Sequence, residues 1–157
     1  MKRAICGSGI IPMFVAVMLG LGGCGERDPN MILSPAEVAE FRILSTDTRL
    51  PPFASNVRTQ SLCGIDCQEW VTFDAPLDSA KRFAEDLVGK KLTQGSPPHF
   101  PRFMRNKEGW PSLDWWPKTW PETMIGNETM PDGPPYARVA IIPDGPTGHV
   151  FIEAFTT

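Results

Sequence analysis

Cys63 and Cys67 stand four positions apart, with Gly64-Ile65-Asp66 between them. In an extended strand, residues at that separation lie about 13 Å apart, whereas a disulfide needs its Cα atoms within about 7 Å. A bond between the two therefore requires the chain to reverse, or to make a helical turn, between them. Gly64 and Asp66 are turn formers, and three residues is a common hairpin loop length. The flanking residues read as strands, roughly Ser55 to Leu62 before the pair and Gln68 to Phe73 after it. In the second strand Trp70 and Thr72 fall on one face, Val71 and Phe73 on the other. A hairpin makes the cysteines a cross-strand pair closing a small loop, with an entropic gain on the order of 2 kcal/mol at most.

Whether the bond forms depends on the compartment, and the N-terminus bears on that. Lys2 and Arg3 precede an apolar run from Ile10 to Leu21. The run is about 12 residues, a signal-peptide length, and short of the ~20 that span a bilayer as a helix. It ends in Leu21-Gly22-Gly23-Cys24, which resembles the lipobox of bacterial lipoproteins. The resemblance implies that residues 1–23 are a cleaved signal and that Cys24 is lipidated as the first mature residue. Each buried CH2 of such acyl chains contributes about 0.8 kcal/mol, and two or three chains anchor essentially permanently. The implied location is the cell envelope, with the protein lipid-anchored on the periplasmic side of the outer membrane if the organism is Gram-negative, because Gly25 and not Asp follows the cysteine. Residues 24–33 then read as a tether and residues 34–157 as a single domain. Cys6 leaves with the signal and Cys24 is acylated, so Cys63 and Cys67 remain as an even pair where disulfides are favoured.

The signal also takes two of the 15 basic residues and none of the 18 acidic ones, so the mature chain carries a net charge of −5 with neutral histidines. A mildly acidic domain without a basic cluster is not expected to bind nucleic acid. The 17 prolines and 14 glycines predict long irregular segments.

Ser34-Pro35-Ala36-Glu37 has capping-box spacing and predicts a short helix over 35–43. Ala80, Phe83, Ala84, Leu87 and Val88 form a one-sided stripe that predicts the main amphipathic helix over 77–88, with Gly89 as its stop. A second hairpin closes the chain: strands 136–142 and 149–155 around the turn residues 144–148. Both faces of those strands carry apolar residues, so the pattern does not choose the buried face. The expected fold is α+β, a small antiparallel sheet of two β-hairpins with one main helix and a long irregular Trp/Pro-rich segment. Pro51-Pro52-Phe53-Ala54-Ser55-Asn56-Val57, Phe73-Asp74-Ala75-Pro76, Trp115-Trp116 and the last twenty residues resemble elements of small secreted bacterial domains that have no assigned activity. That resemblance implies a fold and no function.

Residues 92–135 contain Trp110-Pro111, Trp115-Trp116-Pro117 and Trp120-Pro121, a proline density that forbids regular helix or central strand. A loop this long invites a functional reading. Trp110, Trp115, Trp116 and Trp120 are candidate contacts for an envelope protein or glycan, since exposed tryptophans stack on sugars and fill partner sites. The competing reading, favoured for most of them, is that they fold back over the open face of the sheet.

Other chemistry draws on the same residues. Cys63 and Cys67 with His149 or His99 could form a periplasmic metal or redox site, because soft thiolates select Cu(I). Copper-handling proteins of the Sco family use a Cys-x3-Cys, but with a proline after the second cysteine, where Gln68 stands here, and on a thioredoxin fold. The spacing is not that of a zinc motif. Asp66, Asp74, Asp114 and Asp144 lie where turns and helix starts favour aspartate. No nucleophile elbow or phosphate-binding glycine loop is present. The expectation is a non-catalytic, lipid-anchored binding module without metal or cofactor; the alternative is a metal or redox protein using Cys63 and Cys67.

Overall fold

A computed structural model describes residues 28, 30–44, 46, 48–95, 113–129 and 136–156. The signal, Cys24, Pro97, Pro98, His99 and Trp110 lie outside these residues.

The chain forms α1 (Pro35–Glu40), β1 (Ser55–Cys63), β2 (Cys67–Pro76), α2 (Leu77–Val88), β3 (Thr93–Gln94), β4 (Ile125–Glu128), β5 (Tyr136–Asp144) and β6 (Thr147–Phe155). The six strands make one antiparallel sheet in the order β1-β2-β6-β5-β4-β3. The fold is mostly β with some helix, a larger sheet than the two expected hairpins. The β1–β2 hairpin is closed by the Cys63–Cys67 pair, and the β5–β6 hairpin joins it through β2 and β6. The segment expected to be irregular over 92–135 contributes β3 and β4, which extend the sheet beyond β5. Strands this short carry little periodic signal, and their pairing is supplied by the neighbouring strand.

The second hairpin turns more tightly than residues 144–148 suggest. Asp144 pairs with Thr147, leaving Gly145-Pro146 as a two-residue loop with Gly145 at φ +56°. The Pro146 carbonyl accepts a hydrogen bond from the Leu77 N–H at 2.9 Å. That bond satisfies one of the exposed donors at the start of α2, which has no side-chain cap. β2 accordingly runs on to Pro76 and passes directly into the helix. At the other end Gly89 adopts the left-handed conformation and its N–H reaches the Glu85 carbonyl.

The helix stripe buries Ala80, Ala84 and Val88 against Val71, Phe73, Val139, Ile141, Val150 and Ile152. Phe73 and Phe83 meet edge to face at 5.6 Å. Fully burying each such Val, Ile or Phe side chain contributes about 1.5–3 kcal/mol. Gly148 lets the helix approach: a Cβ there would stand 2.8 Å from Ile141 Cγ2, 3.2 Å from Leu77 Cδ1 and 3.3 Å from Ala80 Cβ.

The N-terminal segment completes this core. Ser34 caps α1 through the expected reciprocal box with Glu37. The helix stops at Glu40, short of residue 43, because Ile43 is drawn into the core and its N–H bonds the Thr48 carbonyl. Ile32 and Leu33, read from sequence as the end of the tether, belong to the packed fold. Ile32 bridges Arg58, and Leu33 is buried with its N–H on the Val57 carbonyl at 2.8 Å. Buried Glu69 fastens the segment to the sheet, accepting from the Leu44 N–H at 2.7 Å and the Ser61 hydroxyl at 3.2 Å. Burial pushes the Glu69 carboxyl up, against these two bonds.

Candidate functional site

The sheet face opposite α2 carries Gln68, Trp70, Thr72 and Asp74 of β2, because alternate residues share a face. Across the ladder these pair with Phe155, Glu153, Phe151 and His149 of β6. Tyr136, Arg138, Ala140 and Ile142 of β5 lie on β6's other side in the same rows.

The row through Trp70 is ionic. Glu153 is almost wholly buried; Arg138 Nη1 donates to its Oε2 at 3.2 Å and the Gln68 amide donates to its Oε1. Arg138 Nε donates to Glu128 Oε2 at 3.0 Å, and its guanidinium lies 5.4 Å from the Phe155 ring centre. Phe155 stacks on Tyr136 at 5.1 Å. Burial raises the Glu153 carboxyl above its usual range, opposed by Arg138 and by the hydrogen bond from Gln68.

The next row is roofed by tryptophans. Leu113 and Trp116 are buried on Trp70 and Phe151, with Trp115, Trp120 and Ile142 half-buried against them. Trp116 and Trp120 meet Phe151 edge to face at 5.6 and 5.5 Å, and each other at 6.0 Å; Trp115 meets Trp116 at 5.9 Å. Met124, fully buried, and Ala140 pack with Trp120. Proline at 117 and 121 keeps the segment from forming helix, so it lies as a folded cover. The tryptophans thus bury the face that α2 leaves open, which explains why both faces of β5 and β6 are apolar. Trp116 is a core residue, and among the described tryptophans only Trp115 and Trp120 keep substantial accessible surface.

Asp74 and His149 are cross-strand neighbours at the rim of this cover. His149 Nδ1 lies 2.6 Å from Asp74 Oδ1, and Nε2 lies 3.6 Å from Asp144 Oδ2. Asn56 donates to Asp74 Oδ2 at 2.7 Å. Asn56 reaches it from a break in the β1–β2 register, with φ +52° in the left-handed region that asparagine tolerates. The hydrogen bond to Asp74 raises the His149 pKa above its ordinary value, helped by the charges of Asp74 and Asp144 and opposed by partial burial. Carboxylates near both ring nitrogens favour the imidazolium form. This grouping was not legible in advance, since it depends on β2 pairing with β6; the strand pattern of each alone does not name its partner.

Cys63 and Cys67 are disulfide-bonded, with Cα atoms 4.1 Å apart. The loop they close is exposed, and Ile65 at its tip is fully exposed. His149 pairs with Asp74, about 23 Å along β2 from Cys67 at 3.3 Å per residue. Cys63, Cys67 and His149 are therefore not brought together as a ligand set, and His99 lies outside the described residues. Among the described residues no group of three or more His, Cys, Asp or Glu side chains is arranged to hold a metal ion, and no helix is long and apolar enough to cross a membrane. No family model, curated protein or solved structure matches the chain.

Proposed function

We propose that this chain is a lipid-anchored cell-envelope protein that works as a binding module, recognising an envelope protein or glycan at the outer edge of the tryptophan cover. One observation carries the reading. Trp115 and Trp120 stay half-buried on a rigid aromatic base, and Trp120 stands on Phe151, two residues along β6 from His149. Aromatic surface held in place beside carboxylates and an imidazole suits partners with both apolar and hydroxyl-bearing faces. The closed Cys63–Cys67 disulfide weighs against the metal or redox alternative, because neither sulfur is a thiolate.

The test is recovery of partners from detergent-solubilised envelope by wild type and by Trp115→Ala/Trp120→Ala. Loss of a specific partner from the double variant supports the reading. Equal recovery by both folded proteins overturns it. Incorporation of labelled palmitate, abolished by Cys24→Ala, tests the anchor separately.

A further inference from the structure

We infer that the groove beside α1 is the face this domain lays against the lipid bilayer. The groove, about 630 Å³, is lined by Leu33, Val38, Leu50, Pro52, Ala54 and Val57, with Arg49 and Asn56 among its few polar neighbours. α1 forms one side and buries none of its own residues. Five large apolar side chains are exposed among the described residues. Met31 and Ile32 immediately precede the lining residue Leu33, and Phe53 sits between the lining residues Pro52 and Ala54. The other two, Leu62 and Ile65, are at the hairpin tip.

The occupant follows from where the chain enters. Met31 N–H bonds the Asp28 carbonyl at 3.0 Å and Asn30 N–H bonds Asp28 Oδ1 at 2.9 Å, so a turn delivers the chain through Ile32 to Leu33, which lines the groove. The inference rests on the lipid-anchored reading. If Cys24 is held in the bilayer, residues 25–30 span at most about 20 Å, at 3.3–3.6 Å each. The groove is then the part of the domain nearest the membrane, while the hairpin tip lies about 20 Å beyond the lining residue Val57 along β1. Apolar side chains at such a surface enter the headgroup boundary by about 5–10 Å. Held there, the domain turns its disulfide tip away from the lipid.

The experiment uses the lipidated mature protein in phosphatidylethanolamine–phosphatidylglycerol vesicles, with dansylalanine placed at position 53 or at position 65 by code expansion. Circular dichroism confirms that each variant folds. Nitroxide-bearing lipids are expected to quench position 53 about twofold or more and to leave position 65 unchanged, as insertion to the acyl boundary requires. Flotation with the vesicles reads the anchor independently. A protein that does not float overturns both the anchor and this inference. A protein that floats with position 53 unquenched leaves the anchor standing and overturns the docking face. A blue-shifted but unquenched position 53 also overturns it, placing that side chain against protein and not lipid.

Discussion

His149 and Asp74 face each other across the β2–β6 ladder, with Nδ1 2.6 Å from Oδ1, and this pair ties the two hairpins together at the rim of the tryptophan cover. The bond raises the His149 pKa. A group whose pKa is higher in the folded chain adds stability that is complete below its unfolded value, near 6.5, and is lost as pH rises through the folded value. The melting temperature of wild type should therefore fall across that window relative to His149→Gln, whose profile should lack the step. Because the imidazole is more than a third exposed, solvent screening holds the contribution below about 1 kcal/mol. An NMR titration of the ring protons checks the direction directly.

Arg138 holds Glu153 in a site with almost no water contact. Arg138→Ala should destabilise the fold by about 3–5 kcal/mol, because it strands a buried carboxylate. Arg138→Met combined with Glu153→Gln should recover much of that loss. Urea midpoints for Arg138→Met, Glu153→Gln and the double variant measure the coupling, and additive losses would contradict it.

Trp116 and Trp115 are adjacent in sequence and differ in consequence. Trp116→Ala empties a buried site against Trp70, Leu113 and Phe151 and should cost about 3–5 kcal/mol. Trp115→Ala should cost clearly less and should act mainly on partner recovery. Denaturation curves beside the pulldown separate the two effects.

Gly148→Ala should destabilise by about 1–3 kcal/mol, since the new methyl meets Ile141 of β5 at 2.8 Å and crowds Leu77 and Ala80 of α2 at 3.2 and 3.3 Å. Gly64→Ala, at a position with open space around the Cβ, is the matched control and should be nearly neutral. Thermal melts compare them.

Replacing both Cys63 and Cys67 by serine should lower stability by about 2 kcal/mol at most, because the closed loop is small. Partner binding at the tryptophan cover should survive. A thiol titration of the native protein should find neither cysteine free.

Local features were legible in the sequence. The Ser34–Glu37 box, the 77–88 stripe, Gly89 and the reversal between the cysteines each rest on neighbours within a few residues. The long-range arrangement was not. Nothing in the 92–135 composition marks Ile125–Glu128 as a strand, because its hydrogen bonds come from β5. Nothing local marks Glu69 and Glu153 as buried, because their partners Leu44 and Arg138 come from elsewhere in the chain. The Asp74–His149 pair is set by strand register, which alternation within one strand does not specify. The tryptophans were ambiguous for a physical reason: the same side chain serves as cover or contact, and among the described tryptophans only Trp115 and Trp120 keep both roles open.

β6 is the last of the strands in chain order and lies between β2 and β5. Until residues 147–155 are present, the earlier elements are two separate half-sheets, each with a bare inner edge. Thr156 then fastens the closure, exchanging hydrogen bonds of 2.9 Å with the Cys67 backbone through its N–H and its hydroxyl. A shortened chain that stops before Thr147 lacks a central strand and not a trimmed end. Proteolysis or a premature stop near that point should thus abolish the domain altogether, and a chain threading through a pore N-terminus first stays unclosed until its final strand has passed.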